Sequence, residues 1–520
     1  MATCSMFVRL GGTALAVLKP VATQCSRHRT RVFIPHRFSH GTWSSLYEHV
    51  CLGYSDKPEL DMREVIEETD KVILNVENRK GELRGEDVRK MVCVWQELQA
   101  VRTEISGLEE EKKRISETVK ALVIKNDKKA LANFPEYTQA LQRGREIRIR
   151  LNEIYPKDTE LDQEYYRQAL RLPNTTHPDV PVGDESQVRV VELVGEKPEF
   201  DFKPRGHIEL GEELGLIRQR HLAHISGHRS YYLRGAGARL QIALQNFALD
   251  TLQQRGFIPM VVPDMMKTVV FEGCGMQPIA NRAQVYSLDQ ARFPDLNLAG
   301  TGEIGVAGYF MDHAVNWKDL PVRTVCSSTC YRAETETGRE PWGLYRVHHF
   351  NKVEMFGVTA DETGVESSQL LKEFVSLQKE MFSALELHYR VLDMPTEELG
   401  LSAHRKYDIE AWMPGRNSYG EISSGSNCTD YQSRRLNIVY EREDGSLQYA
   451  HTVNATACAI PRTIIAILET HQTKEGTVRV PKALQPYFGL EVIEKPKYTP
   501  LKYIGPNQHH QPPRPAPKTR

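Results

Sequence analysis

The clearest hydrophobic pattern in the chain is a heptad repeat in its first third. Apolar residues recur with alternating spacings of three and four, interrupted only at Lys112, over more than four heptads: Met91, Val94, Leu98, Val101, Ile105, Leu108, Ile115, Val119 and Leu122. A weaker pattern of the same period follows at Leu141, Ile147, Leu151, Ile154, Leu161 and Tyr165. Together they predict an antiparallel helical hairpin about 50–60 Å long at 1.5 Å per residue. Its tip is expected between Lys125 and Phe134, and Pro156 is expected to kink or break the return helix.

The chain changes character on both sides of this hairpin, which predicts four regions. Residues 1–47 form a leader, and residues 48–183 form an N-terminal helical arm with a proline-rich linker. Residues 184–504 mix strand-like and helical segments with frequent glycine, as a mixed α/β domain does. Residues 505–520 are basic and proline-rich, which predicts a disordered tail.

The leader contains no Asp or Glu before Glu48 but carries six basic residues: Arg9, Lys19, Arg27, Arg29, Arg31 and Arg37. An acid-free segment rich in Arg and Ser favours a mitochondrial transit peptide, and therefore a location in the mitochondrial matrix. The alternatives are a secretory signal built on the short apolar run 11–18, which ends at Lys19 and Pro20, and an untargeted leader.

Composition narrows the function classes. The formal net charge of the 520 residues is −1, so any contact with nucleic acid has to come from a local patch. One candidate patch is the distal half of the hairpin, with Lys112, Lys113, Arg114, Lys120, Lys125, Lys128 and Lys129, although an ordinary dimerisation coiled coil explains the hairpin equally well. The nine cysteines include no CxxC pair, so no zinc site is expected. No apolar run approaches the roughly 20 residues of a membrane span, and no membrane association is expected.

The segment from residue 238 to residue 472 carries the candidate chemistry. An amphipathic helix over 238–255 leads into a strand that ends at Pro263. The run Tyr331-Arg332-Ala333-Glu334 is followed, after a loop with glycine, by Arg346-Val347-His348-His349-Phe350 and then by residues 351–356. Residues 451–462 end on Arg462 and precede another predicted helix.

These three segments resemble motifs 1, 2 and 3 of the class II aminoacyl-tRNA synthetases. Three further runs are similar to the seryl-tRNA synthetases within that class: Thr301-Gly302-Glu303, Lys352-Val353-Glu354, and Tyr419-Gly420-Glu421-Ile422-Ser423-Ser424. The resemblance implies an α/β (α+β) fold with an antiparallel sheet of six or seven strands flanked by helices, preceded by a coiled-coil hairpin arm. It also implies a homodimer formed through motif 1.

The resemblance implies a role for each matching residue. Arg332, Glu334 and Arg462 would be catalytic. Serine would be bound by Thr301, Gly302, Glu303, Arg332, Glu354, Asn454 and Thr456. ATP would be bound by Arg332, Ala333, Glu334, Arg346, Val347, Phe350, Glu421, Ile422, Ser423, Ser424 and Arg462. Mg²⁺ would be held by Glu421 and Ser424, whose oxygen atoms are ligands that this ion prefers.

The implied reaction joins serine to ATP and then transfers the seryl group to tRNA(Ser). A guanidinium such as that of Arg332 suits the first step because it can hold two anions that repel each other. Fewer than 50 residues follow Gln472, which is too short for an anticodon-binding domain, so the arm is expected to hold the body of the tRNA instead.

Three rival hypotheses remain. Ala455 and Ala457 replace glycines of the bacterial form of motif 3, and alanines that crowded the pocket would suit a catalytically inactive RNA-binding paralogue. A synthetase for another amino acid is opposed by Glu354. A purely structural coiled-coil dimer leaves the motifs of the long second region unexplained.

Overall fold

A computed structural model describes residues 44–55, 57, 60–125, 134–278, 284–334 and 343–497. Most of the predicted leader, the hairpin tip with Lys128 and Lys129, and the predicted tail lie outside these residues. In the part of the chain that is described, no helix is long and apolar enough to cross a membrane.

Two long helices form the predicted arm, preceded by three short ones. Their bounds are α1 Ser45–Cys51, α2 Arg63–Glu67, α3 Thr69–Arg79, α4 Gly85–Lys125 and α5 Pro135–Ala169. At 1.5 Å per residue the 41 residues of α4 span about 60 Å. Of the two effects expected of Pro156, a kink or a break, the break does not occur, because α5 continues through the proline. Pro156 is exposed, so water can reach the carbonyl group that lacks a helical partner.

The heptad positions form the seam between α4 and α5, as predicted. Ile147, Leu151 and Ile154 of α5 are buried against Ile105 and Leu108 of α4. Ion pairs close the edges of this seam in its body-proximal half: Arg102 with Asp158, Arg150 with Glu104, and Lys157 with Glu97. Exposed pairs of this kind contribute little individually, so the apolar seam holds the hairpin together.

Helix α1 belongs to the folded body although it starts inside the predicted leader. Leu46 and Tyr47 are 3% and 7% exposed. The carboxylate of Glu272 accepts hydrogen bonds from the Ser44 hydroxyl and from the backbone N–H groups of Ser45 and Leu46, at 2.7, 3.1 and 3.1 Å. The predicted leader boundary at residue 47 therefore falls within α1.

The second region is built on an eight-stranded sheet, in the order β1-β11-β12-β13-β16-β10-β9-β4. These strands are β1 Arg189–Val194, β4 Ile258–Met260, β9 Val322–Tyr331, β10 His349–Thr359, β11 Tyr389–Asp393, β12 Arg405–Met413, β13 Ser418–Thr429 and β16 His451–Ala459. The expectation of six or seven strands is thus corrected to eight. The sheet is antiparallel except at its edge, where β4 runs parallel to β9.

The short strands of this region form four small sheets among the described residues. Two of these sheets have three strands and two have two strands. The strands are β2 Ile217–Arg218, β3 Tyr232–Leu233, β5 Met265–Lys267, β6 Tyr286–Ser287, β7 Leu296–Leu298, β8 Ala314–Asn316, β14 Val439–Glu441, β15 Leu447–Tyr449, β17 Val478–Arg479 and β18 Val492–Ile493. The helices of this region are α6 His207–Glu213, α7 Ala236–Gln254, α8 Thr268–Gly273, α9 Gly302–Phe310, α10 Glu366–Ala384, α11 Tyr431–Leu436, α12 Ile460–Thr470 and α13 Gln485–Phe488.

The large sheet has one face in a hydrophobic core with helices α7, α10 and α12. Side chains alternate across a strand, so neighbouring residues of β16 face opposite ways. Ala455 and Ala457 are buried in this core, 0% and 1% exposed, whereas Thr456 lines the pocket described below. The two alanines therefore do not crowd that pocket, and the argument for an inactive paralogue that rested on them falls.

A buried polar joint connects the N-terminal helices to the sheet domain. The Arg79 guanidinium on α3 donates hydrogen bonds to the carbonyl oxygens of Asn174, Gly400 and Ala403, at 2.8, 2.9 and 2.8 Å. The side-chain amide of Asn174 in turn donates to the carbonyl oxygens of Ser402 and Cys428, both at 2.8 Å. Burial lowers the pKa of Arg79 to about 10. The joint fixes the base of the arm against the sheet domain.

Candidate active site

Most of the predicted nucleotide-binding residues line one pocket above the centre of the sheet. Its lining consists of Arg332, Leu344, Tyr345, Val347, Phe350, Lys352, Glu421, Ile422, Ser423, Ser424, Thr456, Ala459, Pro461 and Arg462. The pocket includes residues of the segments that resemble motifs 2 and 3, but none of the segment that resembles motif 1. Lys352 and Thr456 also connect it to the predicted serine-binding residues.

Two β-bulges, one in each of two strand pairs of the large sheet, shape this pocket. Between β12 and β13 the pairing passes from Ile409 opposite Ser423 to Glu410 opposite Glu421, which leaves Ile422 as an extra residue. Between β10 and β16 it passes from Cys458 to Thr456, which leaves Ala457 as an extra residue and sets Thr456 opposite Glu354. Such bulges turn side chains that regular pairing would direct elsewhere.

Arg462 and Glu421 form the most strongly charged contact in the pocket. The Nη1 atom of Arg462 donates to Oε2 of Glu421 at 2.9 Å, and the guanidinium lies 4.4 Å from the centre of the Tyr345 ring. Burial opposes ionisation of Glu421, but the positive charges of Arg462, Lys406 and Arg332 outweigh it and lower the pKa of Glu421 to about 2. Glu421 is therefore a carboxylate at every physiological pH.

Arg332 stands at the opposite wall with an aromatic neighbour. Its guanidinium lies 5.3 Å from the centre of the Phe350 ring, and its Nε donates to the Gly300 carbonyl oxygen at 3.3 Å. Arg332 lines the pocket, and a guanidinium has further N–H donors in a planar fork that can bind two anionic oxygens at once. An adenine ring can stack on the exposed face of Phe350 in the same way that the guanidinium does.

Glu334 and Arg346 are paired with each other just outside the pocket lining. The distance from Arg346 Nη1 to Glu334 Oε2 is 3.2 Å, and a second guanidinium, that of Arg229, lies 3.8 Å from the same oxygen. Glu334 has a positive φ of 45°, and its carbonyl oxygen accepts a hydrogen bond from Arg229 at 2.9 Å. Arg229 thus helps hold this residue in a conformation that L side chains seldom adopt. Ala333 precedes it, with its N–H bound to the Gln284 carbonyl oxygen at 2.8 Å.

The predicted serine-binding residues gather behind this pocket at the start of α9. The Thr301 hydroxyl caps the helix by accepting from the Glu303 N–H at 3.4 Å. Gly302 packs so closely on β9 that a Cβ there would lie 2.6 Å from Cys326 Sγ. Only glycine therefore permits this approach between α9 and the sheet.

Glu303 is a buried carboxylate held by two amides. Its Oε1 accepts from Gln432 Nε2 at 2.6 Å and from Asn454 Nδ2 at 2.8 Å. Burial and the neighbouring Glu354 raise the pKa of Glu303 to about 7, against the opposing effects of Gln432 and Lys352. A positively charged amine arriving at this carboxylate would gain an ion pair in a region from which water is excluded.

Glu354 lies on β10 in contact with Lys352, Thr301 and Thr456. Glu354 and Lys352 are only 3% and 6% exposed. A pair of buried opposite charges with hydroxyl partners can present a carboxylate oxygen to a small polar group. The site therefore offers one carboxylate for an amine and another for a hydroxyl.

The residues present fit a Mg²⁺ ion that arrives with a phosphate ligand rather than a protein-built metal cage. Among the described residues, no group of three or more His, Cys, Asp or Glu could hold a metal ion. Ionised Glu421 and the Ser424 hydroxyl do line the same pocket. Mg²⁺ commonly takes one or two protein oxygens and completes its shell with phosphates and water.

Several residues at this site belong to none of the motifs that the sequence predicted. Gln432 and Tyr345 hold Glu303 and Glu421 by hydrogen bonds at 2.6 and 2.9 Å, respectively. Arg229 adds a second cation at Glu334. None of the three follows a recognisable spacing, so no sequence signal announced them. Lys352 did carry a signal, because it stands two residues before Glu354 on the same strand face.

Similarity to known proteins decides the family. Residues 286–471 match the family described as tRNA synthetase class II core domain (G, H, P, S and T). The mitochondrial serine–tRNA ligase of Mus musculus is 59% identical over 489 residues, which cover 94% of this chain and 93% of that protein. The chain belongs to the seryl-tRNA synthetase family.

Other members of the seryl-tRNA synthetase family agree in sequence and fold. The serine–tRNA ligase of Rubrobacter xylanophilus is 39% identical and covers 84% of this chain and 99% of its own length. The crystal structure of the seryl-tRNA synthetase from Pyrococcus horikoshii complexed with ATP superposes with a TM-score of 0.77 at 34% identity, covering 84% of this chain and 100% of that one. The predicted fold class, family and ligase activity are thereby confirmed. Within the family, the greater identity is to the mitochondrial enzymes.

Proposed function

We propose that this seryl-tRNA synthetase works in the mitochondrial matrix, where it activates serine with ATP and transfers the seryl group to the 3′ end of mitochondrial tRNA(Ser). One observation carries the proposal. A pocket with the cations Arg332 and Arg462 adjoins a closed cluster with the two carboxylates of Glu303 and Glu354. ATP fits the first part, and a small amino acid with an extra hydroxyl fits the second.

In the activation step a carboxylate oxygen of serine attacks the α-phosphorus of ATP. The new O–P bond gives seryl-adenylate, the bond to the bridging oxygen breaks, and pyrophosphate leaves with the electron pair. Arg332 holds both anions and stabilises the charge that develops on the α-phosphate oxygens. Glu303 binds the serine ammonium, with Asn454 and Gln432 fixing its orientation.

The remaining assigned residues bind the nucleotide. Phe350 stacks on adenine, while Arg346 and Arg462 bind the phosphates and Glu334 the adenine side. Ile422 and Ser423 support the ATP pocket from inside: Ile422 is fully buried, and the Ser423 hydroxyl donates to the Thr456 carbonyl oxygen. Glu421 and Ser424 would hold Mg²⁺, which when bound neutralises phosphate charge. The Glu421 carboxylate is already positioned before Mg²⁺ binds. Arg462 donates a hydrogen bond to it, and the backbone N–H of Glu421 donates to the Tyr345 hydroxyl.

The arm is proposed to bind the body of the tRNA along its distal half. Lys113 and Lys120 are exposed there, and neither has a carboxylate within ion-pair distance among the residues that the structure describes. Other basic residues of the arm are paired with carboxylates, as Arg102 is with Asp158 and Arg150 with Glu104. Unpaired cations at the distal half are available for phosphate groups.

A homodimer is supported by apolar residues left exposed around motif 1. Ile258 lies on the edge strand β4, Ile242 on α7 before it and Tyr309 on α9, and together with Val261 and Met265 they are 55% to 99% exposed. An unpaired edge strand among exposed apolar side chains is a typical protein interface. A second copy of the chain is the proposed partner.

The test is ATP–pyrophosphate exchange by the purified chain lacking residues 1–42, with serine, threonine, alanine and cysteine in parallel. We expect exchange with serine and at most about 1% of that rate with alanine, because alanine brings no hydroxyl group to the Glu354 carboxylate. A folded dimer that exchanges with none of the four would overturn the proposal.

A further inference from the structure

Lys352 is a buried cation to which resemblance to the family gave no role. It lies on β10 with its side chain 7% exposed and forms an ion pair with Glu354. Its Nζ also donates to the hydroxyl oxygens of Thr301 at 2.9 Å and Thr456 at 3.3 Å. An ammonium group has three hydrogens, and these three acceptors use all of them.

The three acceptors belong to different parts of the fold. Thr301 caps α9, Glu354 lies on the same strand as Lys352, and Thr456 lies on β16. Lys352 therefore joins a helix start and two strands at one point. The bulge at Ala457 is what sets Thr456 opposite Glu354 and within reach of the lysine.

Within the described part of the chain, the ion pair and hydrogen bonds of the Glu354 carboxylate reach only one of its two oxygens. Oε2 meets Lys352 and accepts from the hydroxyls of Thr301 and Thr456 at 3.4 and 3.5 Å. Since each hydroxyl accepts from the ammonium and donates to Oε2, the four groups form a closed network. No hydrogen bond from the described part of the chain reaches Oε1.

We propose that Lys352 is a positioning residue that fixes Glu354 through Oε2, so that Oε1 accepts the serine hydroxyl and the enzyme distinguishes serine from alanine. The inference deepens the proposed function and rests on it. Lys352 also borders the nucleotide pocket, but its hydrogen bonds go to Thr301 and Thr456 and its ion pair to Glu354, so its removal is expected to act on serine through Glu354.

The charge balance of the cluster supports this role. Glu303 and Glu354 are two buried carboxylates, and the negative charge of Glu354 raises the pKa of Glu303 while the positive charge of Lys352 lowers it. The ammonium of Lys352 compensates one of the two charges and leaves the other, on Glu303, for the ammonium of serine.

The choice of lysine also follows from the geometry. Arginine presents its donors in a plane and is larger, so it cannot reach three acceptors around one nitrogen. Methionine has a similar shape but donates no hydrogen bond. Lys352→Met therefore removes the network while keeping the volume of the side chain.

The experiment is a double-mutant cycle with Lys352→Met, Glu354→Gln and the combined variant, in the chain lacking residues 1–42. For each variant, kcat/KM for serine and for alanine and KM for ATP are measured by pyrophosphate exchange. We expect Lys352→Met to lower kcat/KM for serine about 100-fold while the value for alanine and KM for ATP change less than about 3-fold. The combined variant should match Glu354→Gln within about 3-fold, because the lysine acts only through that carboxylate.

The control is Lys379→Met, at a half-buried lysine of α10 that pairs with Glu192 far from the site, and it should leave all three values unchanged. Equal loss for serine and alanine in Lys352→Met would overturn the inference in favour of a purely structural role. If that variant does not fold, the combined variant decides, since it buries no uncompensated charge; a further loss beyond Glu354→Gln would again overturn it. Failure of the wild-type chain to activate serine would instead overturn the proposed function.

Discussion

Single residues of the serine site owe their chemistry to burial. Glu303 is an ordinary glutamate in sequence, yet its carboxylate stands in a closed cluster next to a second carboxylate. Withdrawal from water penalises its charged form, and so does the neighbouring negative charge. The residue consequently titrates where an exposed glutamate would not, which gives the site a measurable pH dependence.

We predict that kcat/KM for serine falls about tenfold per pH unit below pH 7, because the raised pKa of Glu303, about 7, leaves the carboxyl group protonated there. Only the ionised form pairs with the serine ammonium, so the loss comes as pH decreases. KM for serine and KM for ATP should be measured from pH 5.5 to pH 8.5.

Asp408 is the group that could be confused with Glu303 in such a profile. Burial also raises its pKa to about 7, against the effect of Lys406, but it neighbours Glu421 on the nucleotide side. Its titration would change KM for ATP. A constant KM for serine across this range, with a varying KM for ATP, would contradict the assignment of the ionisation to Glu303.

Helix α1 and the hairpin arm make contacts that no short sequence motif indicates. Helix α1 packs two apolar residues into the body and is capped by Ser44. In the distal half of the hairpin arm, Lys113 and Lys120 have no ion pair with any residue that the structure describes, whereas Lys90 and Lys157 of the proximal half do. Each arrangement leads to a prediction about a segment rather than about a residue.

We predict that transit-peptide removal ends before Ser44, and that a chain lacking residues 1–47 is less stable than one lacking residues 1–42. The shorter chain loses Leu46 and Tyr47 from the core, at about 1.5–3 kcal/mol for each large apolar side chain. It also leaves the buried Glu272 carboxylate without its three partners. Thermal unfolding of both chains is the measurement, and equal midpoints would refute the prediction.

The distal arm lysines are predicted to act on the tRNA and not on activation. Neutralising both in Lys113→Gln/Lys120→Gln should raise KM for tRNA about 3- to 10-fold, with a smaller effect at high salt. Lys90→Gln/Lys157→Gln is the matched control, because those two lysines are paired with Glu164 and Glu97 on the proximal half. Pyrophosphate exchange should be unchanged in both variants. An equal rise in KM for tRNA in both would show that the charge of the whole arm, rather than its distal half, matters.

At the scale of the whole molecule, the polar joint at Arg79 sets where the arm stands relative to the active site. The Arg79 guanidinium donates five hydrogen bonds, and it has no carboxylate partner among the described residues. Their acceptors lie in the linker and in the turn before β12. Four of the five acceptors are backbone carbonyl oxygens, and those of Gly400 and Ala403 belong to the sheet domain, so the joint ties α3 and the linker to that domain.

We predict that Arg79→Ala lowers the free energy of unfolding by about 3 kcal/mol or more, because several buried carbonyl groups lose their donor. Arg79→Lys should fold but charge tRNA at least about 10-fold more slowly, with serine activation near the wild-type value, because one ammonium cannot bridge all the acceptors. Chemical denaturation and the two activity assays test this. Lys71→Ala on the exposed face of the same helix is the control. Parallel loss of activation and charging in Arg79→Lys would assign the joint to stability alone.

The sequence by itself determined the parts of this protein that depend on local order along the chain. The heptad spacing gave the two arm helices, because side chains three and four apart share a helix face. The residues of motifs 2 and 3 and of the Thr301-Gly302-Glu303 run identified the family and most of the pocket lining, since their chemistry is set by residue type and short spacing. Val347, Phe350 and Arg462 meet in the pocket as the resemblance implied.

Tertiary structure alone decided the features that depend on pairing between distant strands. The bulges at Ile422 and Ala457 leave no mark in the sequence, yet the second of them sets Thr456 opposite Glu354. The eighth strand, the burial of α1, and the contacts of Gln432, Arg229 and Lys352 likewise arise from segments far apart in the chain. Burial and electric charge act through space, so the pKa of Glu303 and the network around Lys352 follow from the folded arrangement and from nothing shorter.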